Sequence, residues 1–283
     1  MPPRPEHVLR SQDVELAVDL DAGARAVRWT VGDLSVLAHH GDHSVEHGMY
    51  PMAPWAGRVR NNIVRWGDYD YALPTTFASW ALHGTVLDQA AEVIRSEADS
   101  DGAVLVARVA KSPTWPWPVA IDISWDLRGR TLTTEVIVHS EEFESPAVVG
   151  WHPWLLRDLG RGEPIEWSLE ATQQVIRGGD DPPTPETKPF DRASGPFDDT
   201  FVVPSGVARL RWPGALVIDV HNDAPWYVVF DHHADAVCVE PQSGPPNGVN
   251  DGLGQPIPTA GPGRPHRMVT TWTMRDDQPV DQA

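Results

Sequence analysis

Prolines and glycines interrupt this chain so often that long helices have little room. The 283 residues include 28 prolines and 23 glycines. Proline breaks the interior of a helix and glycine weakens it. The nearest approach to an amphipathic helix is LDQAAEVIRSEAD at 87–99, and its Val93–Ile94 pair fits a strand equally well. The chain is therefore expected to consist mainly of strands and turns.

Between the interruptions lie short runs in which apolar and polar residues alternate. IEWSLEAT places Ile165, Trp167 and Leu169 on one face, and TLTTEVIVH (131–139) repeats the pattern. Alternation with period two is typical of half-buried strands. We identify further runs of this kind at 14–20, 103–110, 119–127, 215–222, 226–230, 236–240 and 267–274. Many short strands without alternating helices predict an all-β protein with a large antiparallel β-sandwich.

No linker divides the chain convincingly into two cores, so residues 1–283 are interpreted as one domain. No internal repeat of propeller-blade length is visible. Two Pro/Gly-rich stretches, 177–199 and 241–265, are predicted to be long loops. Loops of that length in a folded domain are often functional.

The charge balance excludes several classes of partner. The formal net charge is −18, from 22 Lys and Arg against 40 Asp and Glu. Nucleic acids and anionic membrane surfaces require a concentrated basic field, which this chain lacks. The N-terminal segment has no apolar run of signal-peptide length, so a cytoplasmic location without membrane contact is expected. Cys238 is the one cysteine, which excludes an intramolecular disulfide.

The segment AVVGWHPWLL (147–156) ends an apolar strand with an ionisable side chain. His152 lies between two indoles, Trp151 and Trp154, and is followed by Pro153. An imidazole titrates near neutral pH and can donate or accept a proton there. His152 is thus a candidate general acid, and a buried structural histidine is the alternative. Proline cannot extend a ladder, so the strand is expected to stop there.

A second apolar strand ends in the same way, with Glu240 followed by Pro241 in AVCVEPQSGPPNG (236–248). A carboxyl group at the end of a buried strand is partly desolvated, which raises its pKa and makes it a better base. A buried ion pair with an arginine is the structural alternative.

Three further segments carry candidate binding residues. Arg58 lies in the turn PMAPWAGRVRNN (51–62), His83 precedes Gly84 in WALHGTVLD (80–88), and Asp198 lies in FDDTF (197–201). An arginine fork can bind hydroxyl or anionic groups. Glycine permits a positive φ or a close backbone approach. A solvated arginine, a structural histidine and a turn aspartate are the alternatives.

A metal site is not expected. DHHAD (231–235) is the one segment that suggests it. In a strand its two histidines point to opposite faces, and no metal-binding spacing such as HExxH or CxxC occurs.

Taken in order, PWAGRVRNN, ALHGTV, GWHPWL, DDTF and VEPQSGPPNG resemble the aldose 1-epimerase (galactose mutarotase) family. The resemblance covers about residues 50 to 250. The chain departs from the family pattern at Gly57, where asparagine is usual, and at Trp151 and Trp154, where tyrosines are usual.

The resemblance implies a galactose mutarotase-like supersandwich and a role for each matching residue. Glu240 is the expected general base at the anomeric hydroxyl, and His152 the expected acid at the ring oxygen. His83 is expected to assist at the ring oxygen or to position the sugar. Sugar contacts are expected from Arg58, Asp198, Trp151 and Trp154, with Asp199 as the alternative to Asp198 if the register slips by one.

The expected activity is therefore interconversion of the α and β anomers of free aldohexoses such as glucose or galactose, by a monomer or homodimer without a cofactor. Three alternatives stay open: a sugar-phosphate 1-epimerase using Arg58, Arg60 and Arg65, a non-catalytic carbohydrate-binding protein, and a glycosidase using Glu240 with Asp198.

Overall fold

Two large sheets account for most of the structure. A computed structural model of the chain describes residues 6–39, 41, 43–110, 112, 114–177, 182, 184, 186–192 and 195–277. The strands in chain order are β1 (Glu6–Ser11), β2 (Val14–Asp19), β3 (Arg25–Val31), β4 (Leu34–Ser35), β5 (Met49–Met52), β6 (Ile63–Trp66), β7 (Tyr69–Ala72), β8 (Ala91–Ala98), β9 (Gly102–Val109), β10 (Val119–Arg128), β11 (Thr131–Ser140), β12 (Ser145–Pro146), β13 (Gly150–Pro153), β14 (Leu155–Leu156), β15 (Glu166–Leu169), β16 (Gln173–Val175), β17 (Thr187–Pro189), β18 (Asp198–Val202), β19 (Val207–Trp212), β20 (Leu216–Asn222), β21 (Trp226–Phe230), β22 (Ala236–Gln242), β23 (Thr259–Ala260) and β24 (His266–Asp276).

The helices of the described chain are two short 3₁₀ turns, Leu20–Ala22 and Arg60–Asn62. No helix among the described residues is long and apolar enough to cross a membrane. The all-β prediction is confirmed. The segment at 87–99 that left helix and strand open contains strand β8, which pairs with β9 through a bulge between Val93 and Arg95.

The larger sheet has 12 strands in the order β1-β2-β3-β5-β13-β22-β21-β18-β16-β17, with β4 beside β3 and β14 beside β22. The smaller sheet has 8 strands in the order β15-β19-β20-β24-β11-β10-β9-β8. Neighbouring strands in both sheets are antiparallel. The β6–β7 hairpin and the two-stranded pair of β12 with β23 lie outside them. This arrangement confirms the predicted large antiparallel sandwich.

Tryptophans from both sheets meet in the core between them. Trp29 of β3 lies edge-on against Trp272 of β24 with ring centroids 6.0 Å apart. Trp125 of β10 lies 4.6 Å from Trp151 of β13. Large aromatic side chains bury much apolar surface, so these contacts contribute strongly to holding the two sheets together.

The period-two runs form strands as predicted. In β11 every second residue is buried, beginning at Leu132. The buried Thr134 is satisfied, since its hydroxyl donates to the Thr270 carbonyl at 3.2 Å and accepts from Trp272 Nε1 at 3.2 Å. The interpretation of residues 1–283 as one domain stays a prediction.

The two predicted loops contain short strands. Stretch 177–199 includes β17 and the first residues of β18, and positions 178–181, 183, 185, 193 and 194 lie outside the described residues. Stretch 241–265 includes the last residues of β22 and all of β23.

The expectation that Pro153 and Pro241 each end a strand is confirmed for Pro153 and wrong for Pro241. Pro153 is the last residue of β13, but β22 continues past Pro241 to Gln242. The β13–β22 ladder pairs Gly150 with Gln242 and resumes as β14 with Leu155 opposite Val237. Pro241 thus borders a stretch without ladder pairs, where the missing N–H is tolerated.

Candidate active site

Strand register brings the separate sequence motifs into one row across the large sheet. His152 is the register partner of Tyr50 on β5. Glu240 is the partner of Val228, which in turn faces Thr200. The register on either side of the β13–β22 gap places His152 opposite Glu240. Side chains opposite each other on adjacent strands are close enough to touch.

His152 and Glu240 are in direct contact. His152 Nε2 lies 3.2 Å from Glu240 Oε1, and both residues are buried. The second carboxyl oxygen, Oε2, accepts a hydrogen bond from Gln242 Nε2 at 3.2 Å. Two groups able to exchange a proton therefore form a fixed pair.

The surroundings of this pair favour its uncharged form. Burial, and then the negative charge of Asp198, raise the pKa of Glu240 well above its ordinary value. Burial, and then the cation Arg25, lower the pKa of His152 to about 3. Burial penalises the charged form of each group. Both pKa shifts favour the arrangement in which Glu240 holds the shared proton and the neutral imidazole of His152 accepts from it.

His83 is held against the pair by an unusual backbone. Its φ is 60°, and that of Gly84 is 83°. A Cβ at Gly84 would lie 1.9 Å from the Ala53 carbonyl oxygen, so the close approach expected from this glycine is present. The His83 ring centroid is 5.0 Å from that of His152.

The tautomer of His83 follows from its hydrogen bond. The Gly57 N–H donates to His83 Nδ1 at 3.2 Å. Burial, then the neighbouring His152 and Arg58, lower the pKa of His83 well below its ordinary value. The ring is therefore neutral with its proton on Nε2, and it serves as a hydrogen-bond donor.

Asp198 lies between two arginines at the edge of the same site. Arg177 Nη2 is 2.6 Å from Asp198 Oδ2, and Arg58 Nη1 is 3.7 Å from the same oxygen. Arg58 Nε is buried and has no hydrogen-bond partner within the described chain. Asp199, the register alternative, instead accepts a hydrogen bond from Gln174 Nε2 at 3.1 Å.

These groups line one cavity of about 320 Å³. Of the predicted site residues, six line it: Arg58, His83, His152, Trp154, Asp198 and Glu240. Trp154 stacks beside His152 with ring centroids 5.5 Å apart. Apolar lining comes from Leu82, Phe77, Val228 and Phe230. A cavity with apolar walls and a few converging polar groups is typical of a small-molecule site.

Trp151 is a correction to the predicted site. It is fully buried between the sheets against Trp125 and does not line the cavity. Successive residues of a strand point to opposite faces, so a site built on His152 turns its neighbour Trp151 into the core.

Several residues of the site were missed. Gln242 lies two residues beyond Glu240, and the period-two pattern was sufficient to find it. Tyr50 stacks on the His152 ring at 4.7 Å, but its strand MYPM shows no alternation. Arg177 lies at the start of a segment without periodicity, so no sequence pattern indicated it.

Cys238 lies close to the His152–Glu240 pair. Its sulfur and one ligand atom each of His152 and Glu240 lie within 4.8 Å of one another, which is the one such convergence of metal-ligating groups within the described chain. The carboxyl oxygens of Glu240 already contact His152 and Gln242. The expectation of a site without a metal stays a prediction.

Comparisons with known proteins identify the family and the fold of the chain. The family model for aldose 1-epimerase matches residues 9–271. The uncharacterized protein YihR of Escherichia coli (strain K12) is 24% identical over 237 residues, which cover 77% of this chain and 76% of YihR. A galactose mutarotase-like protein from Clostridium acetobutylicum has a similar fold, with a TM-score of 0.81, 16% identity and 94% of each chain covered. For galactose 1-epimerase from Lactobacillus acidophilus the TM-score is 0.78 and the identity 16%, over 96% of this chain and 95% of that one. The chain belongs to the aldose 1-epimerase family.

Proposed function

We propose that this protein is an aldose 1-epimerase that interconverts the α and β anomers of a free aldohexose such as glucose or galactose. The observation that carries the proposal is the contact between His152 Nε2 and Glu240 Oε1 at 3.2 Å on the cavity wall. Anomer exchange requires one proton to leave the anomeric hydroxyl and another to reach the ring oxygen. A paired carboxyl and imidazole supply both functions.

One proton transfer within the pair prepares it for reaction. Moving the proton from Glu240 to His152 creates a carboxylate base and an imidazolium acid together. Glu240 then takes the proton of the O1 hydroxyl while His152 protonates the ring oxygen, and the C1–O5 bond breaks. Rotation about C1–C2 and closure on the other face give the second anomer. Each group then works in the opposite sense, as reversibility requires.

The remaining cavity residues bind the sugar in this proposal. Neutral His83 donates its Nε2–H to the ring oxygen or a neighbouring hydroxyl. Asp198 accepts from sugar hydroxyls, while Arg58 and Arg177 donate to them. Trp154 offers a flat apolar wall for sugar C–H groups. Proton transfers, opening and closing of the C1–O5 bond and rotation about C1–C2 are the only steps, so the proposed chemistry needs no cofactor.

A sugar-phosphate substrate receives less support. The basic cluster considered for it consists of Arg58, Arg60 and Arg65. Arg58 is the one member that lines the cavity. Arg60 Nη2 donates to the Pro182 carbonyl at 2.9 Å, and Arg65 lies 3.6 Å from Asp70 on the β6–β7 hairpin.

The test is to follow optical rotation after dissolving α-D-glucose or α-D-galactose in a weakly buffered solution with catalytic amounts of protein. Faster approach to the equilibrium rotation with at least one aldose is the expected result. A rate equal to the spontaneous one for every aldose tested would reject the proposal and leave the non-catalytic binding protein. Including glucose 6-phosphate separates the sugar-phosphate alternative, and a p-nitrophenyl glycoside tests for glycosidase activity.

A further inference from the structure

Arg25 is a buried cation that the proposed reaction does not use. It is the first residue of β3 and is completely buried. Nη1 donates to the His47 carbonyl at 2.8 Å, but Nε and Nη2 have no hydrogen-bond partner within the described chain. Burying a guanidinium without matching acceptors is unfavourable. Such a residue calls for an explanation besides packing.

The guanidinium lies behind the catalytic histidine, in a continuous stack. Arg25 Cζ is 4.7 Å from the centroid of the Tyr50 ring. Tyr50 in turn stacks on His152 with ring centroids 4.7 Å apart and planes 20° from parallel. A cation over an aromatic ring is attracted by its π electrons.

The stack is fixed at its far end as well. The Tyr50 hydroxyl donates to the Val45 carbonyl at 3.1 Å, and Trp154 Nε1 donates to the same oxygen at 2.8 Å. Trp154 is the next ring beside His152. The stem of Arg25 is confined too, since a Cβ at Gly48 would lie 3.3 Å from its Cδ.

We propose that Arg25 is a positioning residue for the reaction. Through the Tyr50 ring it fixes the plane of His152. Its charge also opposes a second positive charge on His152, so that the shared proton stays on Glu240 until a sugar binds. This inference rests on the proposed function. It assigns to Arg25 an effect on the acidity of the proton donor, because an imidazolium that forms near a fixed cation is a stronger acid.

Other charged and titratable groups also surround His152, but Arg25 is the cation that lowers its pKa. Glu240 and Cys238 face His152 from β22, Tyr50 from β5, and His83 and Arg58 from the connecting segments. Arg25 follows burial as the second cause of the lowered pKa of His152.

Around Arg25 itself, Asp19 and Asp88 partly offset the burial that lowers its pKa. An arginine nevertheless keeps its proton. Burial, and then Arg25, lower the pKa of His47 to about 4, so that His47 adds no charge at neutral pH.

The test is an NMR titration of the ¹⁵N-labelled His152 ring between pH 2.5 and 10, a range that includes the lowered pKa of His152, with the signal assigned by its loss in His152→Asn. Removing the cation in Arg25→Met makes each proton of the His152–Glu240 pair harder to lose. Each titration of the pair within this range is expected to move to higher pH by about one unit. Arg25→Lys keeps a positive charge, so its titrations are expected to lie close to those of the wild type.

Arg28→Met is the matched control. Arg28 lies on the same strand but is partly exposed and pairs with Glu6 and Glu15. The Arg28→Met substitution is therefore expected to leave the titration of His152 unchanged. Folding of each variant is checked by circular dichroism, and Arg25→Gln replaces Arg25→Met if the latter does not fold.

Titrations that coincide in a folded Arg25→Met variant and the wild type would overturn the proposal, as would an equal shift in Arg28→Met. The readout needs no turnover, so it separates failure of this inference from failure of the proposed activity. With an active enzyme, the pH profile of kcat/KM is expected to move in the same direction as the NMR titration.

Discussion

The two faces of the large sheet carry different chemistry at β13 and β22. On the inner face, Trp151 packs against Trp125 of the opposite sheet. On the outer face, the next residue His152 contacts Glu240 beside a cavity. Both faces are buried, but the inner one is almost purely apolar while the outer one holds groups that titrate. A single residue step thus separates a side chain that packs in the core from one that can donate or accept a proton beside the cavity.

The largest expected effect is on the outer face. We expect His152→Asn and Glu240→Gln each to lower the rate of anomer exchange at least 100-fold, because acid–base groups contribute about 10²–10⁴-fold. The free energy of unfolding should change little, since no buried charge is left without a partner. Polarimetry and urea unfolding measure the two quantities.

The matched controls for these variants are His139→Asn and Glu166→Gln, both at partly exposed or exposed positions of the smaller sheet. Both should retain the wild-type rate. Near-normal activity of folded His152→Asn or Glu240→Gln would show that the assigned role is wrong.

On the inner face the expected effect is on stability. Trp151→Ala should lower the free energy of unfolding by about 3–5 kcal/mol, the range for truncating a large aromatic side chain in a core. The folded fraction should lose far less activity than Glu240→Gln does. Denaturant titration combined with activity per folded molecule checks this, and a loss below about 1 kcal/mol would contradict the division between the faces.

The sequence predicted the strands well because each strand's alternation is a local property. In β11 the buried positions were the predicted ones, from Leu132 onward. The His152–Glu240 pair was also predictable as a candidate site, since each residue interrupts an apolar strand. The same rule, applied strictly, places Trp151 on the opposite face from His152. The expectation that Trp151 contacts sugar followed the family motif instead, and the structure corrects it.

What escaped the sequence depends on long-range register. Tyr50 and Arg25 reach His152 only because β3, β5 and β13 lie side by side in the sheet. Arg177 meets Asp198 across a connection whose residues show no periodicity. No local pattern encodes which strands become neighbours, so such partners become visible only in the folded chain.

A smaller effect should appear at the edge of the outer face. Asp198→Asn removes the charge that Arg58 and Arg177 share, so sugar binding should weaken and KM rise by about tenfold, equivalent to about 1.4 kcal/mol. It also removes a negative charge that raises the pKa of Glu240. The pKa of Glu240 should therefore fall, and the alkaline limb of the rate profile should move to lower pH.

Asp199→Asn is the matched control for this change. Its side chain accepts from Gln174 and does not line the cavity. Initial rates over a range of sugar concentrations and pH values separate the two variants. Equal changes in KM for both would argue against a specific role for Asp198.

The smallest expected effect concerns how each face responds to pH. Burial raises the pKa of Glu240 above its unfolded value. The folded state therefore favours the protonated carboxyl, and this stability is fully present below about pH 4.5 and is lost as pH rises through the folded pKa. In Glu240→Gln the free energy of unfolding should decrease less steeply with rising pH, by at most ~1.4 kcal/mol per pH unit.

Measurement of the free energy of unfolding from pH 5 to 9 covers the range in which the raised pKa of Glu240 acts, and the difference between wild type and Glu240→Gln cancels the contributions of other titrating groups. Trp151→Phe, an inner-face change without a titrating group, should lower stability by a constant amount and keep the wild-type slope. If Glu240→Gln kept that slope as well, the carboxyl would have to titrate alike in the folded and unfolded chain. The outer face would then lack the desolvation that distinguishes it, and Glu240 would be an ordinary solvated carboxylate instead of a tuned base.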